Sequence, residues 1–513
     1  MAPDYIVTTT NGPVRGSSDG TVRSWKGLRY AAPPTGPLRW RAPRAPEPWT
    51  DAADATRFGA IPVQTVSPAI RLPEDAVQSE DCLTLNVWAA ESVSTDAPRP
   101  VMVWVHGGAY MFGATSQPMY DGRSLAASGE IVLVSVGYRV GALGFADLSH
   151  LSTAAEPFET NLALRDVLFA LEWVRENIAG FGGDPDRVTL FGESAGGGMV
   201  TTLMTSPAAR GLFHRAIAES SPATSVYGQD RAERVAHEFL QTLGVDPSDT
   251  STLRSLPAER LATAAMTVYA ETPRDEPGTL AFTPVVDGDL VPEHPVDVFA
   301  RGAALPVPLL IGTNRDETSL FTMMKSPLMP VSREAIEEMS ADLRADRPDL
   351  DIPSDAEILS AYAGLRVKKQ GPAISRDLGF RMPTLWVAQG HAAVAPTYLY
   401  RFDWATPMLK LLGIGATHGT ELPYLWGNLH GGKKDITFRL GGLRTGHALS
   451  ARLQQRWIGF ASDTAPQAEG AAVWEPYTAE DRATLVIDRV DHIALDLDRD
   501  LRAAWGDEVL SFT

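Results

Sequence analysis

The chain has 513 residues, of which 44% are hydrophobic and 21% charged, the balance of a globular protein long enough to bury a large core. Its formal net charge of −18 is spread along the sequence and repels phosphate backbones, which argues against a nucleic-acid partner. Cys82 is the only cysteine, so no intrachain disulfide can form, which fits a reducing cytoplasm.

Taken in chain order, residues 1–16 lack a basic segment followed by an apolar core and do not read as a secretory signal. No stretch has the roughly 18 uninterrupted apolar residues of a membrane span. Short apolar runs alternate with longer helical patterns, which predicts βα units around a mostly parallel sheet. The strand candidates are PVMVWVHG (100–107), EIVLVSVGYR (130–139), RVTLFGES (187–194), VPLLIGTN (307–314) and PTYLYRFDW (396–404). Between the second and third, Leu164, Val167, Leu168, Leu171, Val174 and Ile178 recur at helical spacing, predicting a helix over 160–181 with one face on the sheet. GGDPD at 182–186 is expected to end it. Segments 224–280 and 322–395 are helix-like and rich in Ala, Arg, Asp and Glu. They read as insertions over the sheet, a lid or substrate-shaping subdomain within one catalytic domain spanning 1–513. For any single residue in them, a plain structural helix is nearly as good a reading.

The third strand candidate runs into Gly192-Glu193-Ser194-Ala195-Gly196. A G-x-S-x-G pattern alone arises by chance. Here it follows a strand and precedes a helix starting near Ala195, the context in which a sharp turn lifts a serine clear of the sheet edge. Glycines two positions either side are then required, because a Cβ there would clash. Serine needs a base, and the base an orienting acid. In this order both should follow the serine, in loops after later strands. Asp316 and Glu317 follow VPLLIGTN at once, and spacing leaves both open as the acid. The next strand candidate is followed by a loop carrying His418. His106-Gly107-Gly108-Ala109, directly after the first strand, suits an oxyanion loop together with the N–H of Ala195. His106 belongs to that loop rather than serving as the base, and His150, His214 and His447 lack a comparable setting. Taken singly, Glu317 is an exposed loop carboxylate and His418 a structural histidine; their joint placement favours chemistry.

These stretches resemble the type-B carboxylesterases of the α/β-hydrolase fold, and most closely their bacterial para-nitrobenzyl-esterase branch. WKGLRYAAPPTGPLRW (25–40), SEDCLTLNVW (79–88), VWVHGGAYMFG, NIAGFGGDPDRVTLFGESAGG, GTNRDETSLF and GATHGTELPYLWGN match the family's motifs in order. The resemblance implies a mostly parallel central sheet flanked by helices, with Ser194 as nucleophile, Glu317 rather than Asp316 as acid, and His418 as base. Gly108, Ala109 and Ala195 take the oxyanion positions, with Gly107 beside them. Ser220 stands where the family keeps a serine that supports the acid, and Glu193 flanks the nucleophile. Three positions depart from the pattern. Ser221 replaces the usual glycine after the supporting serine, and the usual Asp-Gln on the long helix reads Asp166-Val167. Animal relatives pair the cysteine of the EDC motif, whereas Cys82 has no partner, so the loop over 62–78 is expected to be untethered at the pocket mouth.

The expected activity is that of a serine carboxylic-ester hydrolase working through an acyl-enzyme on uncharged short-to-medium acyl or aryl esters. Tyr110, Met111, Phe112, Leu320 and Phe321 flank the catalytic motifs and are expected to line an apolar pocket, ordinary core packing being the plainer role for each. An amidase or carbamate hydrolase with the same triad is the chemical alternative, and a non-catalytic esterase-like binding protein a remote one. His418-Gly-Thr-Glu421 has the look of a metal motif but lacks convergent ligands, so no metal or other cofactor is expected. The expected partner is a small-molecule ester, with no nucleic acid and no membrane, for a cytoplasmic monomer or weak homodimer.

Overall fold

A computed structural model describes residues 5–510, apart from 325, 327, 329–331, 347, 349, 351, 431–434, 463, 464, 507 and 508. Part of the second predicted insertion, around 325–331, therefore lies outside the described residues. Among the described residues, eleven strands form the main sheet. From one edge the order is His492–Leu495, Ala483–Ile487, Thr397–Phe402, Leu309–Asn314, Arg215–Glu219, Gly183–Glu193, Arg99–Val105, Val132–Val136, Thr84–Ala90, Val22–Arg29 and Ser17–Ser18. From Ala483–Ile487 to Val132–Val136 every neighbour is parallel, and the outer strands are antiparallel. Ile6–Thr9, Gly12–Arg15 and Ala53–Asp54 make a small separate sheet. The chain has the α/β-hydrolase architecture.

The central strands are buried on both faces, which is why they read as continuous apolar runs. In Arg99–Val105, Val101, Val103 and Val105 join one core, whereas Met102 and Trp104 join another across the sheet. The first core is sealed by the helix Leu162–Asn177, whose Leu164, Val167, Leu171 and Val174 all face it. The second is sealed by Leu443–Ala461 through Leu449, Leu453 and Trp457. Each such side chain contributes about 1.5–3 kcal/mol on full burial, so the sheet is a stiff platform. The long helix ends in a 3-10 turn, Ile178–Phe181, capped by Gly182 at φ 86°. Residues 183–186 of GGDPD already belong to the next strand rather than only to a helix stop.

From Arg99–Val105 the chain first adds Val132–Val136 on one side, then returns to add Gly183–Glu193 on the other. The loops leaving the carboxyl ends of these two central neighbours therefore diverge and leave a crevice, the usual ligand position in an open α/β sheet.

Candidate active site

Ser194 sits at the end of the Gly183–Glu193 strand with φ 57° and ψ −126°, and the helix Ala195–Thr205 starts at the next residue. Such a conformation costs a non-glycine residue about 1–3 kcal/mol and persists only where the surroundings impose it. Here they do. The Ser194 N–H donates to the Glu219 carbonyl at 2.9 Å, and the Gly198 N–H to the Ser194 carbonyl at 2.8 Å. A Cβ on Gly192 would stand 2.7 Å from the Gly196 carbonyl carbon, and one on Gly196 only 2.1 Å from the Val105 carbonyl oxygen. The two glycines are thus demanded by contact between the turn and the neighbouring strand.

The glycine-rich loop leaving Arg99–Val105 folds tightly. Gly108, Ala109 and Tyr110 have φ of 130°, 52° and 61°. The Gly108 carbonyl accepts the N–H groups of Met111 and Phe112 at 3.0 and 2.9 Å. Among the described residues no hydrogen bond uses the N–H groups of Gly108, Ala109 or Ala195. His106 lies fully buried beneath the loop, stacked on Tyr138 at 4.3 Å, and burial lowers its pKa to about 4. It is a neutral support for the loop, away from the cavity wall.

Glu317 follows the Leu309–Asn314 strand and is fully buried. Its Oε2 is 2.7 Å from Nδ1 of His418. Its Oε1 accepts from the Ser220 hydroxyl at 2.6 Å and from the Asn314 N–H at 2.6 Å. With Nδ1 donating to this carboxylate, Nε2 of His418 is left as a base. Asp316 points elsewhere: it pairs with Arg315 at 3.0 Å and accepts from the Ala416 N–H at 3.1 Å, stapling the acid loop to the histidine loop. The ring of Phe380 lies 4.8 Å from that of His418, and Phe321 lies 5.4 Å away on the same imidazole. Phe380 sits in a π-helical turn, Asp377–Arg381, a local widening common at functional sites.

Glu193 adds a second carboxylate, with Oε1 3.2 Å from Nε2 of His418. Burial raises the Glu193 pKa despite the attraction of His418. Burial acts to lower that of His418, but Glu193 and Glu317 outweigh it and the net shift is upward. The imidazole must be neutral to act as a base, so a raised pKa moves the acid limb of activity to higher pH. Removing one of the two carboxylates should reverse part of this. Glu193→Gln is therefore expected to move the acid limb of the kcat/KM profile down by about one pH unit, the usual scale for an opposite charge at this range. A profile recorded from pH 5 to 9 checks it, and an unmoved or upward-shifted limb would contradict the assignment.

Ser194, Glu193 and His418 share the wall of one cavity of about 770 Å³, together with Gly107, Gly108, Ala109 and Ala195. Tyr110, Phe112, Leu320 and Phe321 lie on that wall as well. Met111 does not. With Ala109 and Tyr110 both in left-handed backbone, the chain turns and carries Met111 to the far side of the loop. There its sulfur would stand 3.5 Å from a Cβ on Gly141. The wall also includes Val66 to Arg71 of the 62–78 loop, Met266 and Tyr269, and Met324, Met339, Leu378 and Phe380.

Some contacts at the site have no motif signal. Asn314 donates its side chain to the Thr417 carbonyl at 2.8 Å and to the Glu421 carboxylate, joining the acid loop to the histidine loop. Ser221 turns its hydroxyl to Thr201 at 3.0 Å, so the departure from glycine there is absorbed by a buried hydrogen bond. Asp166 pairs with Arg139 at 2.6 Å, at a distance from the reacting groups. Among the described residues no group of His, Cys, Asp and Glu could hold a metal ion, and no helix is long and apolar enough to cross a membrane.

Residues 3–502 match the model of the carboxylesterase family. The para-nitrobenzyl esterase of Bacillus subtilis (strain 168) is 40% identical over 492 residues, 94% of each chain. The phenmedipham hydrolase of Pseudarthrobacter oxydans is 31% identical, over 96% of this chain and 97% of its own. Among solved structures, a PNB esterase superposes with a TM-score of 0.85 at 38% identity, covering 98% of this chain and all of its own.

Proposed function

The chain belongs to the carboxylesterase family and is a carboxylic-ester hydrolase, and on that premise we propose that Ser194, His418 and Glu317 are its catalytic triad. The observation that carries the proposal is the 2.7 Å hydrogen bond from His418 Nδ1 to the buried Glu317, on a cavity wall shared with a serine held in a strained turn. The Ser194 hydroxyl adds to the ester carbonyl while Nε2 of His418 takes its proton. The oxyanion is stabilised by the N–H groups of Gly108, Ala109 and Ala195. The alkoxide leaves with the proton from His418, giving the acyl-enzyme, and a water repeats the sequence to release the acid. Ser220 and Glu193 support this chemistry, the first by fixing Glu317 and the second by stabilising imidazolium. A fluorophosphonate that phosphonylates a serine, with loss of fluoride, tests the nucleophile directly. Loss of labelling in Ser194→Ala is expected, and labelling elsewhere would overturn the reading.

The substrates of this reading are uncharged acyl or aryl esters. Support comes from the apolar walls supplied by Tyr110, Phe112, Leu320 and Phe321. The two helical insertions act as a substrate-shaping subdomain: Met266 and Tyr269 stand on Ala258–Asp275, and Met339 on Arg333–Asp346. Among the described residues of the wall, the arginine is Arg71, exposed on the 62–78 loop. A carboxylate on the acyl chain would have to be buried near Glu193. We expect kcat/KM for para-nitrophenyl butyrate to exceed that for a matched substrate with a terminal carboxylate by about tenfold, about 1.4 kcal/mol in the transition state. Equal or reversed preference would mean that a cationic group such as Arg71 reaches the bound acyl group. The single buried, unpaired Cys82 supports a cytoplasmic setting.

A further inference from the structure

We infer that Gln64 is a positioning residue for the oxyanion hole, an inference that rests on the proposed oxyanion roles of Gly108 and Ala109. The loop that offers those N–H groups is strained. Four of its residues, Gly108, Ala109, Tyr110 and Gly113, have positive φ, and two of these are not glycine. Such a loop relaxes unless it is held from outside.

Its closing residue is held by a side chain from a distant part of the sequence. Gly113 is buried, so both its backbone groups need partners. The Gln64 amide supplies both. Its Nε2 donates to the Gly113 carbonyl at 2.9 Å, and its Oε1 accepts the Gly113 N–H at 2.9 Å. The pair has the form of one rung of a β-ladder. Nε2 also donates to the Pro62 carbonyl at 3.0 Å, so the amide is fully engaged, and Gln64 is only 7% exposed.

Gly113 in turn presses on the first peptide of the oxyanion loop. A Cβ there would stand 2.5 Å from the Gly107 carbonyl oxygen and 2.5 Å from Nδ1 of His106. The Gly107 carbonyl and the Gly108 N–H belong to one planar peptide, so whatever fixes the first aims the second. Gln64 is itself fixed. Its N–H donates to the Gln78 side chain at 2.8 Å. Ile61 pairs with Val77 and Ser79 at 2.9 Å, closing the base of the 62–78 loop without a disulfide.

An oxyanion donor acts on charge that exists only in the transition state, so misaiming it lowers kcat and leaves KM. The test is Gln64→Leu, which keeps bulk and removes all three side-chain hydrogen bonds, and Gln64→Glu, which keeps an acceptor for the Gly113 N–H but sets a second carboxyl oxygen against the Gly113 and Pro62 carbonyls. Steady-state kinetics on para-nitrophenyl butyrate should be referred to active sites titrated with a phosphonate. In parallel, the Ki of an alkyl trifluoromethyl ketone is measured. Ser194 adds to its carbonyl carbon, the hydroxyl proton passes to His418, and the carbonyl oxygen becomes an oxyanion in the hole. For Gln64→Leu we expect kcat to fall about 20-fold, a fraction of the loss on deleting a donor outright, with KM within about threefold. The ketone Ki should rise by the same factor, and Gln64→Glu should lose at least as much, because its buried second carboxyl oxygen faces two carbonyl oxygens. Wild-type kcat per titrated site overturns the inference, as does a rise in KM with ketone affinity unchanged. If Gln64→Leu does not fold, Gln64→Glu is decided by the same two readings. The phosphonate labelling of Ser194 is a separate test, so unchanged Gln64 variants would leave the triad standing.

Discussion

Replacing Ser194 by alanine is expected to lower kcat/KM for an aryl ester by about 10⁴-fold or more, leaving only what binding and the oxyanion hole contribute. The loss should be separable from unfolding. The contacts that impose the turn are made by the Ser194 backbone, to Glu219 and Gly198, and alanine keeps both. The strain of φ 57° falls on serine and alanine alike, so thermal unfolding should shift by no more than a few degrees. The measurement is kcat/KM beside a melting curve for both proteins. A variant that retained a tenth of wild-type activity would remove Ser194 from the reaction, and one that lost activity together with its fold would show that the hydroxyl holds the turn.

The groups that carry the proposed chemistry stand where sequence patterns are strongest. Ser194 and Glu317 each come within three residues of a buried strand's end, and the glycine loop directly follows another. A β-rich apolar run, then a break, then a polar residue is readable without a structure. The groups that hold those residues are not readable in that way. Asn314 and Gln64 matter through hydrogen bonds to residues 103 and 49 positions away, and no local pattern encodes such a pairing. The strand Arg215–Glu219 also escapes, because RAIAE has one β-branched residue. It is a strand because it lies between Gly183–Glu193 and Leu309–Asn314 and pairs with both, a tertiary effect that overrides propensity. The misplaced residue, Met111, has a related cause. Neighbours of a motif share its side of the chain only while the backbone is regular, and two left-handed residues end that regularity.

Glu317→Gln is expected to cost about 10³–10⁴ in kcat, and Asp316→Asn less than about threefold, although the two carboxylates are adjacent in sequence. The difference follows from what each oxygen touches. Glu317 Oε2 receives the proton-bearing Nδ1 of His418, while its Oε1 receives the Ser220 hydroxyl and the Asn314 N–H. All three partners are donors. An amide brings two hydrogens of its own, so one end of the substituted side chain must set donor against donor. If the NH₂ faces the imidazole, Nδ1 is driven to the wrong tautomer and Nε2 carries the proton, which stops it acting as a base. If it faces Ser220 and Asn314, two buried donors lose their acceptor at about 1–3 kcal/mol each. In either orientation the negative charge that stabilises imidazolium is gone. Asp316 has a different task. Its Oδ2 takes the Ala416 N–H at 3.1 Å, and an asparagine oxygen can do the same, losing only a part-exposed ion pair with Arg315. Rates for the two variants on one aryl ester, measured at a pH where wild type is on its plateau, decide the matter. Similar losses would mean that the acid loop acts as a unit, and a larger loss for Asp316→Asn would move the orienting role to that residue.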